Sequence, residues 1–157
     1  MTKRTDLTFV YVTYIATTPQ KLWAALTNGA QTRKYFFGRR VESTWRVGSP
    51  VIYWTSDGTI DIQGKVLACE RRRRLSFTFT APHDTIKRRQ LTRATFALKP
   101  MGSVVRLTLT HDRLIPQDFE DNPNTFRGLN NGWPAILSNL KTVLETGRSF
   151  AFRSARS

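Results

Sequence analysis

The chain is poor in the residues that build most catalytic and metal centres. It carries one cysteine and two histidines in 157 residues, and 11 acidic residues against 25 basic ones. The lone thiol of Cys69 excludes an internal disulfide and any cysteine-based zinc site; with no histidine near it in sequence, it reads as a structural residue of a strand. His83, His111 and Cys69 do not form a recognisable ligand set, and Glu42, Asp57, Asp61 and Glu70 are scattered over strands and turns, so no metal is assigned. Glycine spacing of the phosphate-cradling kind is missing from every strand-to-helix junction, and no cofactor is implied. No apolar run approaches the roughly 20 residues of a membrane helix, which excludes membrane insertion by that route. Lys3 and Arg4 precede an apolar-looking stretch, but Leu7 to Ile15 is threaded with Thr8, Tyr11, Thr13 and Tyr14 and has no small-residue cleavage site. It reads as a strand, with a cytoplasmic location as the default.

What the chain has in excess is positive charge: a net +14 and a pI near 11.1. The concentrations are Arg39-Arg40, Arg71 to Arg74 and Lys87-Arg88-Arg89, all in or beside turn signals. Such runs can meet anionic partners or simply stand in solvent. No helix-turn-helix or aromatic RNA-binding sheet signature accompanies them, so specific nucleic-acid binding is not expected and low-salt nonspecific binding is.

Periodicity orders the rest. Leu7 to Ile15 alternates as a first strand. Thr18-Pro19 supplies a helix cap and first-turn proline, Leu22, Trp23 and Leu26 an apolar stripe, and Asn28-Gly29 a stop. A second short helix is predicted over Thr32 to Phe37. From Val41 to His111 about six strands follow, with Asp57-Gly58 marking a hairpin between Val51–Thr55 and Ile60–Cys69. Asp112 to Asn131 reads as a loop. Gly132 to Gly147 is an amphipathic helix, with Trp133, Ile136, Leu137, Leu140, Val143 and Leu144 on one face and Ser138, Asn139, Lys141, Thr142 and Glu145 on the other. The length suits one domain over residues 1–150, with a basic tail at 151–157 that frays.

Ala16-Thr17-Thr18-Pro19-Gln20-Lys21-Leu22-Trp23-Ala24-Ala25-Leu26-Thr27 resembles the opening motif of the activator-of-heat-shock-protein-90-ATPase homologue-like family. Arg33 to Gly38, Val41 to Trp45 with Val47 to Pro50, Gly64 to Leu67, Arg74-Leu75 and Gly132 to Gly147 agree in the same order, so the likeness spans nearly the whole chain. The resemblance implies an α+β helix-grip fold of the START-like, birch-pollen-allergen-like kind: a curved antiparallel sheet wrapped around a long C-terminal helix, with two short helices after the first strand. It also implies three function classes, namely binding of a small apolar or aromatic ligand, contact with a chaperone, and cyclase- or hydrolase-like catalysis. Asn130-Asn131-Gly132-Trp133 has a likeness to the cochaperone's activating motif, but it belongs to the start of the last helix.

In such a fold Trp45, Trp54, Phe77, Phe79, Phe96, Leu107, Leu109, Trp133, Leu137 and Leu140 are the candidates to line a cavity between sheet and helix, or to fill that space as core. Arg39, Arg40 and Arg127 are candidates for cations at its mouth, suited to an anionic head group. A small apolar or aromatic ligand, including one with an anionic head, is the leading expectation, with a chaperone-interacting module as the alternative. His111 is the one candidate general base, but adjacent strand residues point to opposite faces. Asp112 therefore does not orient it, and a hydrogen-bonding role at a strand end is the favoured reading.

Overall fold

The protein was analysed as a computed structural model, which describes residues 6–150; the tail 151–157 lies outside the described residues. Seven strands form one antiparallel sheet in the order β1-β7-β6-β5-β4-β3-β2. They are β1 (Leu7–Ile15), β2 (Arg40–Glu42), β3 (Pro50–Trp54), β4 (Ile60–Glu70), β5 (Arg74–Thr78), β6 (Arg93–Met101) and β7 (Val104–Leu114). Helices α1 (Pro19–Thr27) and α2 (Gly29–Tyr35) follow β1, and α3 (Leu129–Thr146) ends the fold. This is the helix-grip arrangement anticipated from the sequence, with a long C-terminal helix on the inner face of the sheet.

Side-chain alternation decides what faces α3. On β6, Ala94, Phe96 and Leu98 are buried while Arg93, Thr95 and Ala97 stand on the other face; on β7, Val105, Leu107, Leu109 and His111 are buried against Arg106, Thr108, Thr110 and Asp112 outside. Strand β1 repeats the pattern at the sheet edge, leaving Val10, Val12 and Tyr14 outward. The inward stripes of the sheet close on Trp133, Ile136, Leu137, Leu140 and Val143 of α3 to make the core.

Several boundaries differ from the sequence reading. The second helix starts at Gly29 rather than Thr32, because Asn28 both ends α1 and caps α2, its Oδ1 accepting from the Ala30 amide at 2.8 Å. The last helix starts at Leu129, one turn early. Gly128, at φ 76°, turns the chain into it, and Asn130 clamps the approaching loop by exchanging two 2.9 Å bonds with the backbone of Glu120. Asn130 thus has a structural task at the helix start. Asn139, placed by periodicity on the polar face, is buried: its side chain pairs in both directions with the backbone of Phe150, each bond 3.0 Å. The returning chain beyond Gly147 covers it. Lys141 and Glu145 do lie on the polar face, and they bind the end of β1 through the Tyr14 carbonyl and the Ala16 amide.

Gly64 marks a close approach of strands. A Cβ there would lie 1.6 Å from the carbonyl oxygen of Thr78, so even alanine forces the backbone apart. Gly64→Ala is expected to cost about 3 kcal/mol, at the upper end of overpacking penalties. Chemical denaturation checks this, and an unchanged midpoint would mean that β4 and β5 do not approach so closely.

Candidate functional site

The space beneath α3 is spanned by rings in contact. Trp133 stands on the first turns of α3, and its indole meets Phe36 from the end of α2 at 5.7 Å, Phe79 at 5.4 Å and Phe96 of β6 at 5.8 Å between centroids. Phe36 in turn packs on Tyr53 at 4.6 Å, and Phe77 lies within 6.3 Å of Tyr53, Phe79 and Phe96. Tilted and edge-on geometry dominates, as the quadrupoles of aromatic rings favour. Phe77, Leu107, Leu109 and Leu140 are fully buried, and Phe96, Trp133 and Leu137 nearly so. Phe36 and Tyr53, absent from the candidate list, are central; the period-two alternation Val51/Tyr53 was the signal for the second, and the aromatic pair before Gly38 for the first.

A polar chain threads this apolar interior. The Trp133 indole N–H donates to His111 Nδ1 at 3.0 Å, and His111 Nε2 lies 2.9 Å from Thr92 Oγ1, whose hydroxyl donates to the Phe79 carbonyl at 2.5 Å. Because the indole is only a donor, Nδ1 must accept. His111 is therefore the neutral tautomer with its proton on Nε2, and every member of the chain is satisfied. Burial pushes the His111 pKa down from 6.5 to about 4; Asp118 and Asp112 pull the other way, and Arg88 adds to the lowering. Asp112 lies across the sheet from His111 and pairs with Arg93 at 2.5 Å, so no carboxylate orients the ring and both ring nitrogens are engaged.

The sign of the resulting pH dependence follows from proton counting. Between pH 4 and 6.5 the unfolded chain holds more protons at this histidine than the folded one, so stability rises with pH across that window, by about 3 kcal/mol in all. It is complete above 6.5 and lost as pH falls toward 4. Urea unfolding at a series of pH values, beside a ring-proton titration of His111 in the folded protein, checks this. A folded-state titration near 6.5 would contradict it.

The remaining candidates divide. Trp45 reaches the interior from the β2–β3 loop: its ring lies 6.0 Å from Phe77, and its N–H donates to the Thr27 carbonyl at 2.9 Å, tying the loop to the end of α1. Its φ of 61° is a strained setting for a tryptophan. Trp54 is not brought to the cluster. It alternates with inward Tyr53, so it faces the other way, donates to Glu42 at 2.9 Å and lies under the Arg40 guanidinium at 6.0 Å. Arg40 goes with it, away from the interior. Arg39 is at one end of the interior, 5.9 Å from the Phe37 ring, with its Nε on Asp61 at 2.8 Å; Phe37 in turn packs on Phe126, and Arg127 follows on the exposed loop. His83 is exposed.

Not all of the basic runs are solvated. Arg88, from the Lys87-Arg88-Arg89 loop, is only 10% exposed; it makes a two-pronged contact with Asp118 at 2.9 and 2.5 Å and a third bond to Asp84 at 3.0 Å. Asp118 also accepts from the Ile115 amide at 2.9 Å. Burial alone would raise the Asp118 carboxyl, but the Arg88 and Ile115 bonds hold it below its ordinary value. The cluster fastens the loop before β6 to the turn after β7, beside Thr92 and His111. Sequence reading missed it because its members lie 30 residues apart.

A curved antiparallel sheet gripping one long helix over an aromatic interior defines a helix-grip protein. Residues 16–145 match the family model for activator of Hsp90 ATPase homolog 1-like protein, and the chain belongs to that family. Among solved structures it is similar to a protein of Mesorhizobium loti, at 24% identity and a TM-score of 0.72, covering 88% of this chain and 96% of that one. An Aha1 dimer from Colwellia psychrerythraea matches at 19% identity and a TM-score of 0.70, over 91% of this chain and 99% of that one. An HSP90 activator from Plasmodium falciparum matches at 17% identity and a TM-score of 0.67, over 87% and 95%. No curated protein matches. No helix among the described residues is long and apolar enough to cross a membrane, and those residues contain no cluster of potential metal ligands.

Proposed function

We propose that this chain is a protein-docking member of the Hsp90-activator family, working through its outer surface while the interior holds the fold rigid. The observation that carries this is Trp133, which contacts Phe36, Phe79 and Phe96 and bonds His111, so that side chains of the sheet and of α2 meet α3 directly. A ligand seated there would have to displace close-packed rings and break a satisfied polar chain. The family membership and the resemblance to the Plasmodium falciparum HSP90 activator point to a chaperone as the partner. ATP hydrolysis by an Hsp90-type chaperone, measured with and without the protein, tests the proposal. A rise that saturates with added protein is expected; an unchanged rate with no complex on size exclusion would overturn it.

A second reading, a small apolar ligand, draws on one end of the interior. Phe37, Ile62 and Phe79 are only partly buried there, with Arg39 above the Phe37 ring. A molecule with an apolar body and an anionic head would suit that end. Saturable displacement of a fluorescent fatty acid, abolished by Ile62→Trp, would favour it over docking.

A further inference from the structure

The outer face of the sheet, which no helix covers, combines charge, shape and apolar surface in a way the fold does not require. The cross-strand register brings Val10, Thr110, Thr95, Ser76 and Ala68 into one row, and Val12, Thr108, Ala97 and Arg74 into the next. Because most of these side chains are small, the middle of the face is sunken, and a concavity of about 340 Å³ opens between Leu67, Ala68, Arg74, Ser76, Arg93 and Thr110. Ser76 and Thr95 hydroxyls lie 2.9 Å apart on its floor. Val10, Val12 and Tyr14 are about half exposed at one side, at 54, 46 and 47%.

One pair of charges on this face is set against stability. Lys99 and Arg106 are directly opposed across β6 and β7, an arrangement that costs energy unless an anion joins them. Arg74 and Arg93 have one carboxylate each, Glu70 at 3.4 Å and Asp112 at 2.5 Å. With a chain charge of +14, the protein as a whole attracts anionic partners over long range.

We infer that this face is the docking surface for an acidic polypeptide segment, whose carboxylates join Lys99 to Arg106 and reach Arg74 while its apolar side chains cover Val10 and Val12. This rests on the protein-docking reading above and names the surface and the chemistry of its partner. A polypeptide suits the face better than a nucleic acid. Glu70 and Asp112 interrupt the cations and break up a track for a continuous phosphate chain, and Val10 and Val12 flank it with aliphatic surface. The outward rings do not form a run: Tyr14 lies beside Arg106 on β1, whereas Trp54 is on β3 near the far edge, bonded to Glu42 and covered by Arg40.

The probe is a 12-residue peptide rich in aspartate and glutamate with valine at every third position, titrated into the isotope-labelled protein at 150 mM salt. Shifts concentrated at Ser76, Thr95, Thr108 and Thr110 are expected. Lys99→Glu/Arg106→Glu should weaken binding at least tenfold, whereas Arg71→Glu/Arg72→Glu, in the turn beyond β4, should change it less than about twofold. Thr95→Trp, which fills the concavity without altering charge, should also weaken it. Equal losses from both charge reversals, or tighter binding of a 12-nucleotide polyuridine than of the peptide, would overturn the inference. Because no chaperone is present, a failure here leaves the ATPase test standing, and a negative ATPase result leaves this one standing.

Discussion

Trp133→Ala is expected to remove about 4 kcal/mol of stability, the range for deleting a fully buried tryptophan, and to leave His111 Nδ1 buried without its donor. For a domain of this size that is a large fraction of the whole. Trp133→Phe separates the two contributions. It keeps a ring among Phe36, Phe79 and Phe96 but loses the N–H, so it should cost roughly half as much and should let His111 protonate at a higher pH. Denaturant unfolding of both variants, with the His111 titration followed in the phenylalanine variant, checks the pair. A fully stable alanine variant would mean that the indole does not bridge helix and sheet.

The second large effect concerns the ion cluster behind that site. Arg88→Met leaves Asp118 and Asp84 nearly buried, at 11 and 16% exposure, with their cation gone, and is expected to cost about 3 kcal/mol. Adding Asp118→Asn should recover part of that loss, since the stranded charge is then removed although the bond to the Ile115 amide weakens. A double-mutant cycle measures the coupling. Additive losses from the two substitutions would contradict a shared cluster. The loop from Ala81 to Thr92 carries Arg88 and ends at the hydroxyl that holds His111, so the single Arg88→Met variant should also speed hydrogen exchange there.

Much of the architecture was legible in the sequence because its signals are local. Strand alternation at Phe96/Leu98 and Leu107/Leu109, the Thr18-Pro19 cap and the Asp57-Gly58 turn each act over a few residues, and each appears where the spacing placed it. The inner stripe Phe77, Phe96, Leu107, Leu109, Trp133, Leu137 and Leu140 was legible for the same reason. The departures arise where a side chain serves a distant backbone. Asn28 caps the second helix so that it starts at Gly29, ahead of the Thr32 start that the sequence suggests, and Asn130 extends α3 by holding Glu120. Asn139 is buried because the chain after Gly147 returns to meet it. Trp54 was misplaced by composition: tryptophan suggests interior, but its neighbour Tyr53 already takes the inward position. The Arg88 cluster and the Trp133–His111–Thr92 chain join segments far apart in sequence, and no spacing rule reveals them.

The most direct measurement is an amide and indole NMR spectrum of the protein recorded as an Hsp90-type chaperone is added. The expected result is broadening of surface amides as the complex forms, with the Trp133 indole N–H resonance unmoved. The contradicting result is an unperturbed surface under chaperone, together with a saturable shift of the Trp133 indole under a fatty acid.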